Sequence, residues 1–277
     1  MSKQIEHARL DPALALASIF RPITRGRRPG GLEMRTEFDG LRLKWMIWQA
    51  LDSRDQSVLY AAAGMAGFDA DRTIGSDAPG EQGQALWCAL KAEDEAKRDE
   101  AVVVTTSRWA LLKAARLDDN KRHYEMLIEI LDRLSMVGLR AEREGWKWSM
   151  RFLSWNEAPD GRINIALNGR FAAALAGQHV RVSLEERGQI SGDAAQIAHA
   201  WLSAWIRPGR TQQIGLDRLA AKVWGNESAS DSTTRKRRER IGKALAEIGA
   251  LPGWQVTTTG RGAGAKATIK RPNILDC

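Results

Sequence analysis

Cysteine is almost missing from this chain of 277 residues: Cys88 and Cys277 are the only two, and neither has a Cys-x-x-Cys companion. That excludes a disulfide framework and a cysteine-built zinc site, and it suits a reducing, cytoplasmic setting. Histidine is nearly as scarce. His7, His123, His179 and His199 form neither His-x-His nor His-Glu-x-x-His, so metal-assisted hydrolysis or nicking lacks a ligand set, and no metal site is expected. Tyr60 and Tyr124 are the only phenols, and neither adjoins a metal cluster that would make it a strand-transferring nucleophile. Carboxylate pairs such as Asp118 and Asp119 fall in turns, where capping is the ordinary role. The expectation is a protein without catalytic residues or cofactor, not an enzyme. No apolar run approaches the roughly 20 residues that span a bilayer, and no charged-apolar-small leader opens the sequence. A membrane is therefore not an expected partner.

Positive charge is what the chain has in excess, and its placement matters more than its total of +8. Residues 178–277 hold 16 Lys and Arg against 9 Asp and Glu; residues 1–44 hold 9 against 5; residues 45–177 hold 17 against 20. A locally basic region without a membrane segment points to nucleic acid. Eleven tryptophans are also present, and Trp45, Trp48, Trp109, Trp205, Trp224 and Trp254 fall at helix ends or in strands, where core aromatics belong.

The densest basic run is "STTRKRRERIGKAL", with Arg235, Lys236, Arg237, Arg238 and Arg240 in six positions. Short oxygen-bearing side chains in "SDS" precede it and suit a helix cap. Ile241, Leu245 and Ile248 follow at i, i+4 and i+7, the spacing of one buried helical face. The run is thus the start of a packed helix. Lys236, Glu239, Arg240 and Lys243 lie opposite the apolar stripe; Arg237 and Arg238 fall nearer to it. A basic helix start projecting past the core is how a recognition helix is built.

Around it the element order repeats. "RPITRGRRPGG" is too rich in Pro and Gly for a regular element and reads, with the rest of 1–44, as a basic N-terminal arm. "SRDQSVLYAAAGMAG" is an Ala-rich helix, 69–84 a loop, 85–98 a charged helix, and "AVVVTT" a β-branched strand. Then "TSRWALLKAARL" (helix), "DDNKR" (turn), "HYEMLIEILDRLSM" (helix) and "VGLRAEREGWKWSMRFLSW" (hairpin) give a winged-helix order. "DAAQIAHAWLSAWI", "IGLDRLAAKVWG", the basic helix and the hairpin "GWQVTTTGRGAGAKATIKRP" run through it again. The fold class expected is α+β, two tandem winged-helix domains over 45–177 and 178–277, with the boundary near 176–186.

"GRGAGAKAT" resembles a phosphate loop only superficially, because Ala265 precedes Lys266 where a Walker motif needs glycine, and strands flank it. As a wing tip it presents Arg261 and Lys266 to a DNA backbone. In the first domain Lys121, Arg122 and His123 open the corresponding helix and Arg143 and Lys147 flank the wing turn, although Asp118, Asp119, Glu142 and Glu144 dilute that charge.

Several motifs, "DGRINIALN", "GQHVRVSLEE", "AWIRPGRT", "LDRLAAKVWG" and "STTRKRRERI", occur in order and resemble the iteron-binding replication initiators of IncQ-type broad-host-range plasmids, the replication protein C family. The likeness covers roughly residues 45–272 and is strongest from 155 to 272. It implies two winged-helix domains that bind double-stranded origin DNA at direct repeats. It further implies opening of an adjacent AT-rich segment and cooperation with a plasmid-encoded helicase and primase. The family's DNA-contacting helix maps onto Thr234, Arg235, Lys236, Arg238 and Arg240. A second copy of the chain is a further candidate partner. A winged-helix transcriptional repressor binding operator DNA is the alternative, and a rolling-circle nickase lacks its His cluster.

Overall fold

The computed structural model describes residues 5–23, 28–69, 72–225 and 230–273. Its buried side chains form one continuous cluster from Ala8 to Ile269. In the first part, β1 (His7–Leu10) and the short α1 (Pro12–Leu16) precede a long hairpin, β2 (Gly30–Phe38) and β3 (Leu41–Gln49). The central helix α2 (Ser53–Asp69) follows, then β4 (Arg72–Ile74), α3 (Gly80–Ala89) and β5 (Glu93–Asp94), a 3-10 turn over Glu95–Arg98, and β6 (Ala101–Thr106). Next come α4 (Arg108–Ala114), α5 (Lys121–Ser135), β7 (Gly138–Arg143), β8 (Trp146–Arg151), β9 (Leu153–Glu157), β10 (Ile163–Leu167) and α6 (Gly169–Ala176). The second part has β11 (Val180–Ser183), α7 (Leu184–Gln189), α8 (Asp193–Trp205), β12 (Thr211–Gly215), α9 (Leu216–Trp224), α10 (Asp231–Gly249), β13 (Gln255–Thr259) and β14 (Lys266–Lys270).

Residues 1–44 are not simply an arm. β1 pairs antiparallel with β11, joining the beginning of the chain to its second part. Leu32, Met34, Thr36 and Phe38 alternate along β2 opposite Ile47, Trp45, Leu43 and Leu41 of β3. The turn between them is Asp39-Gly40, both at positive φ (48° and 70°). An Asp-Gly pair flanked by alternating apolar residues is a strong hairpin signal, and it overrides the Pro- and Gly-rich composition just upstream. Residues 24–27 of that stretch lie outside the described residues. The expected loop at 69–84 contains β4 and the first turns of α3. The expected charged helix at 85–98 ends at Ala89, because Lys91 and Asp94 adopt positive φ (53° and 54°).

Helix α2 is buried on nearly all sides from Ser57 to Ala66. Its small side chains let neighbours approach. A Cβ at Gly64 would stand 2.7 Å from Ile5 Cγ2 and 3.2 Å from the His7 carbonyl, so β1 crosses there. Two sheets repeat one motif. The second part has the order β12-β14-β13, and the five-stranded sheet β2-β3-β7-β8-β5 contains the equivalent β5-β8-β7. Sheet β4-β6-β10-β9 completes the first part.

One buried guanidinium joins the parts. Arg187 of α7 donates to Gln56 Oε1 (2.9 Å), Ser57 Oγ (3.0 Å) and the Ser53 carbonyl (3.4 Å) of α2. It also donates to the Gln196 carbonyl (2.7 Å) of α8 and lies 5.3 Å from the Tyr60 ring centroid. Burial lowers its pKa to about 10. Ser53 Oγ donates to Asp193 2.8 Å away, reinforcing the same seam.

Candidate nucleic-acid interface

Helix α10 begins where the sequence indicates. Ser230 is its cap, accepting from Thr233 N at 3.3 Å, and Asp231 sits in the first turn, where a carboxylate favours the helix dipole. Ile241, Ala244, Leu245 and Ile248 are buried, and α8 and α9 pack against the helix. Arg235, Lys236, Arg240 and Lys243 are exposed along the other side; Thr234, Arg237 and Arg238 are half-buried.

These cations are not equivalent. Arg238 grips Asp217 of α9 with two parallel hydrogen bonds (2.8 and 2.7 Å), a fork that locks α9 to α10. Asp217 raises the Arg238 pKa chiefly through that side-chain hydrogen bond. Arg237 and Arg240 stand over the Trp224 ring, 5.9 and 5.1 Å from its centroid. Lys243 pairs with Glu239 at 3.2 Å. Arg235 and Lys236 have no ion-pair partner among the described residues. Among the described residues, the helix therefore offers two unengaged charges in its first turns and a third, Arg240, braced on an indole face.

At the tip of the β13–β14 hairpin, Arg261 is exposed among glycines and has no ion-pair partner among the described residues. Lys266 is also exposed, but strand alternation sets it on the sheet's outer face, opposite buried Ala267.

The corresponding residues of the first part are more engaged. Asn120 caps α5, accepting from His123 N at 3.0 Å, and His123 Nδ1 lies 2.9 Å from the Asp118 carbonyl and 3.0 Å from Asn120 Nδ2. His123 thus belongs to the cap. Lys121 and Arg122 are exposed. Arg143 turns back to the Asp39 carbonyl and lies 3.7 Å from its carboxylate, tying the wing to the β2–β3 turn. Lys147 is exposed directly across from Glu142, which Arg42 also approaches at 3.5 Å. Deeper on α5, Arg133 reaches Asp55 of α2 at 2.9 Å, and Arg28 bridges Asp55 (3.1 Å) and Asp52 (2.5 Å). Burial, and then the neighbouring Asp52 charge, push the Asp55 carboxyl up to about 6 against the pull of Arg133 and Arg28.

Trp45, Trp224 and Trp254 are core residues, as expected, but Trp48 and Trp109 are 64% and 46% exposed. Trp109 carries Lys113 over its ring at 4.7 Å. Trp48 sits on the outward face of β3, one position off the buried alternation Leu43, Trp45, Ile47, and period-2 counting would have separated it. Among the described residues, no group of three or more His, Cys, Asp or Glu side chains is placed to hold a metal ion. No described helix is long and apolar enough to cross a membrane.

Residues 2–273 match the family model described as replication protein C (RepC). Among solved structures, the chain is similar to selenomethionine crystals of domains 2 and 3 of RctB, with 12% identity and a TM-score of 0.57, over 95% of this chain and 99% of that one. A second crystal structure of RctB domains 2–3 gives 11% identity and a TM-score of 0.56, over 96% and 98%. At such identity the likeness concerns the fold. No curated protein sequence matches the chain.

Proposed function

The chain belongs to the replication protein C family, and from that premise we propose that it is a plasmid replication initiator of two tandem winged-helix domains that binds directly repeated origin sequences. The domains are residues 45–177, with β2 and the start of β3 joined to the sheet of the first, and 178–277, with β1 lending a strand to the second. Helix α10 enters a major groove, where Arg235, Lys236 and Arg240 meet base edges and phosphates. Arg261 reaches the flanking backbone. Arg238 holds the helix in place by its grip on Asp217, and Thr234 and Arg237 stand at the margin of the contact. In the first domain Lys121, Arg122 and Lys147 add backbone contacts that set register.

The observation that carries this reading is the pair of charges, unengaged among the described residues, at the capped start of a helix that is buried along its opposite side. Opening of the neighbouring AT-rich segment draws on binding and bending, on the order of 1–6 kcal/mol for a smooth bend, in the cytoplasm and without a reaction of the protein's own. A plasmid-encoded helicase and primase then take over the opened strands.

The test is binding of the triple variant Arg235→Ala, Lys236→Ala, Arg240→Ala to repeat and scrambled duplexes. Loss of about 1–3 kcal/mol for each base contact, together with loss of preference for the repeat, is expected. Unchanged affinity and preference would refute it.

A further inference from the structure

The C-terminal sheet has an outer face, turned away from its helices, that the reading above does not use. Strand pairing places Lys266, Thr268 and Lys270 of β14 on this face, with Gln213 of β12 and Thr257 and Thr259 of β13 beside them. Ile214, Ala267 and Ile269 point the other way, into the core. Gln213 Nε2 donates to Thr268 Oγ1 at 3.3 Å, holding the middle of the face flat.

Among the described residues, its cations have no ion-pair partner. Neither 194–216 nor 248–275, the stretches that supply the sheet, contains a single Asp or Glu. They do contain Arg207, Arg210, Arg261, Lys266 and Lys270, all exposed. The outer face of the five-stranded sheet is the counterexample. There Lys44 pairs with Glu33 at 2.8 Å and Arg42 with Glu142 at 3.5 Å, so its cations are spent internally. Lys266 and Lys270 stand four residues apart on one strand, about 13 Å at the rise of an extended chain. That span is close to the roughly 12 Å width of a major groove, so the two ammonium groups can reach phosphates on both rims. Hydroxyl and amide side chains fill the space between and can add backbone contacts. The face has no aromatic ring on which bases could stack, which disfavours a single strand.

We propose that this face is a second nucleic-acid surface, gripping the sugar–phosphate backbone of a duplex segment other than the one α10 enters, so that one molecule holds two DNA segments. The proposal rests on the reading that α10 holds the first.

The test uses the full chain bound to an immobilised repeat duplex, then challenged with a labelled non-repeat duplex or a single strand of the same length. The wild type should retain the duplex more than the single strand. Thr257→Glu with Lys270→Glu should keep repeat affinity within about twofold and lose retention of the second duplex by about tenfold or more. The salt slope of the second event should fall by about 0.9 per lost phosphate contact. The Gln pair should lie between, and both variants should melt like the wild type because the substituted side chains are exposed. Undiminished retention by the Glu pair overturns the proposal. So does preference for the single strand, or loss of the repeat itself, which would merge this face with the first site. The α10 triple variant is scored separately: its expected behaviour is to lose the repeat while still binding non-repeat duplex through the sheet. Its failure to lose the repeat would count against the function proposed for α10, whereas retention by the Glu pair counts against the sheet face.

Discussion

The helix–hairpin unit of α4, α5, β7 and β8 and that of α9, α10, β13 and β14 share a strand order but spend their side chains differently. In the first, β7 is covered by β3 and β2, extending the sheet to five strands, and Arg143 is tied to the β2–β3 turn. His123 is absorbed into a cap and Arg133 into a buried carboxylate cluster. In the second, β13 is left as an edge, the hairpin has no acidic residue, and the helix start keeps Arg235 and Lys236 unengaged. On the function proposed above, the same motif would read sequence in one half and only set register on the backbone in the other. They differ in which side chains are drawn into internal contacts: His123, Arg133 and Arg143 in the first, Arg238 and Lys243 in the second.

Arg187 is where the comparison breaks most easily, because it joins α2 of the first part to α7 and α8 of the second. Arg187→Ala would leave several buried acceptors unsatisfied, at about 1–3 kcal/mol each, beside a cavity, for a total loss of about 3–5 kcal/mol. Denaturant unfolding followed by tryptophan fluorescence and by circular dichroism should show this loss. If the halves are one cooperative unit, both probes should still report a single transition.

Next in size is a pH effect confined to the first unit. The Asp55 carboxyl titrates near 6 when folded against 3.8 ordinarily. The folded state therefore holds a proton that the unfolded chain has released between those values. This contribution is present at low pH and is lost as pH rises through 6. A shift of about two units corresponds to about 3 kcal/mol. Stability of the wild type relative to Asp55→Asn should fall by that order between pH 4 and pH 7. A pH-independent difference would remove Asp55 as the source.

Smaller still are the two helix caps. Ser230→Ala and Asn120→Ala should each cost about 1 kcal/mol of stability. Ser230→Ala should also weaken preference for the repeat, since it frays the turn that carries Arg235 and Lys236, whereas Asn120→Ala should weaken binding to repeat and scrambled duplexes alike. Equal effects on preference would mean that the two helices contribute alike.

Much of this was legible in the sequence because it depends on local chemistry. The cap Ser230, the stripe Ile241, Leu245, Ile248, the strand "AVVVTT" and the hairpin turn at Glu144-Gly145 each depend on a few neighbouring residues. The β2–β3 hairpin was also written locally, in Asp39-Gly40 and its alternating flanks, but upstream proline and glycine masked it. Pairing of β1 with β11 was not legible, since nothing near His7 specifies a partner at Ser183. Nor was the fate of individual cations. That Arg238 meets Asp217, that Arg143 meets Asp39 and that Arg187 is buried depend on contacts between elements that the spacing of charges along the chain does not encode.

The central claim, that the exposed charges at the start of α10, and not those at the start of α5, read the repeat, is tested most directly by one pair of titrations. Arg235→Ala with Lys236→Ala and Lys121→Ala with Arg122→Ala are compared on the same repeat duplex across a salt series. The account predicts that the α10 pair lowers the slope of log K against log salt by about 1.8, at about 0.9 per contact, and weakens preference for the repeat. The α5 pair should change the slope by no more than that and leave preference intact. Loss of repeat preference in the α5 pair, with the α10 pair binding as wild type, would contradict it.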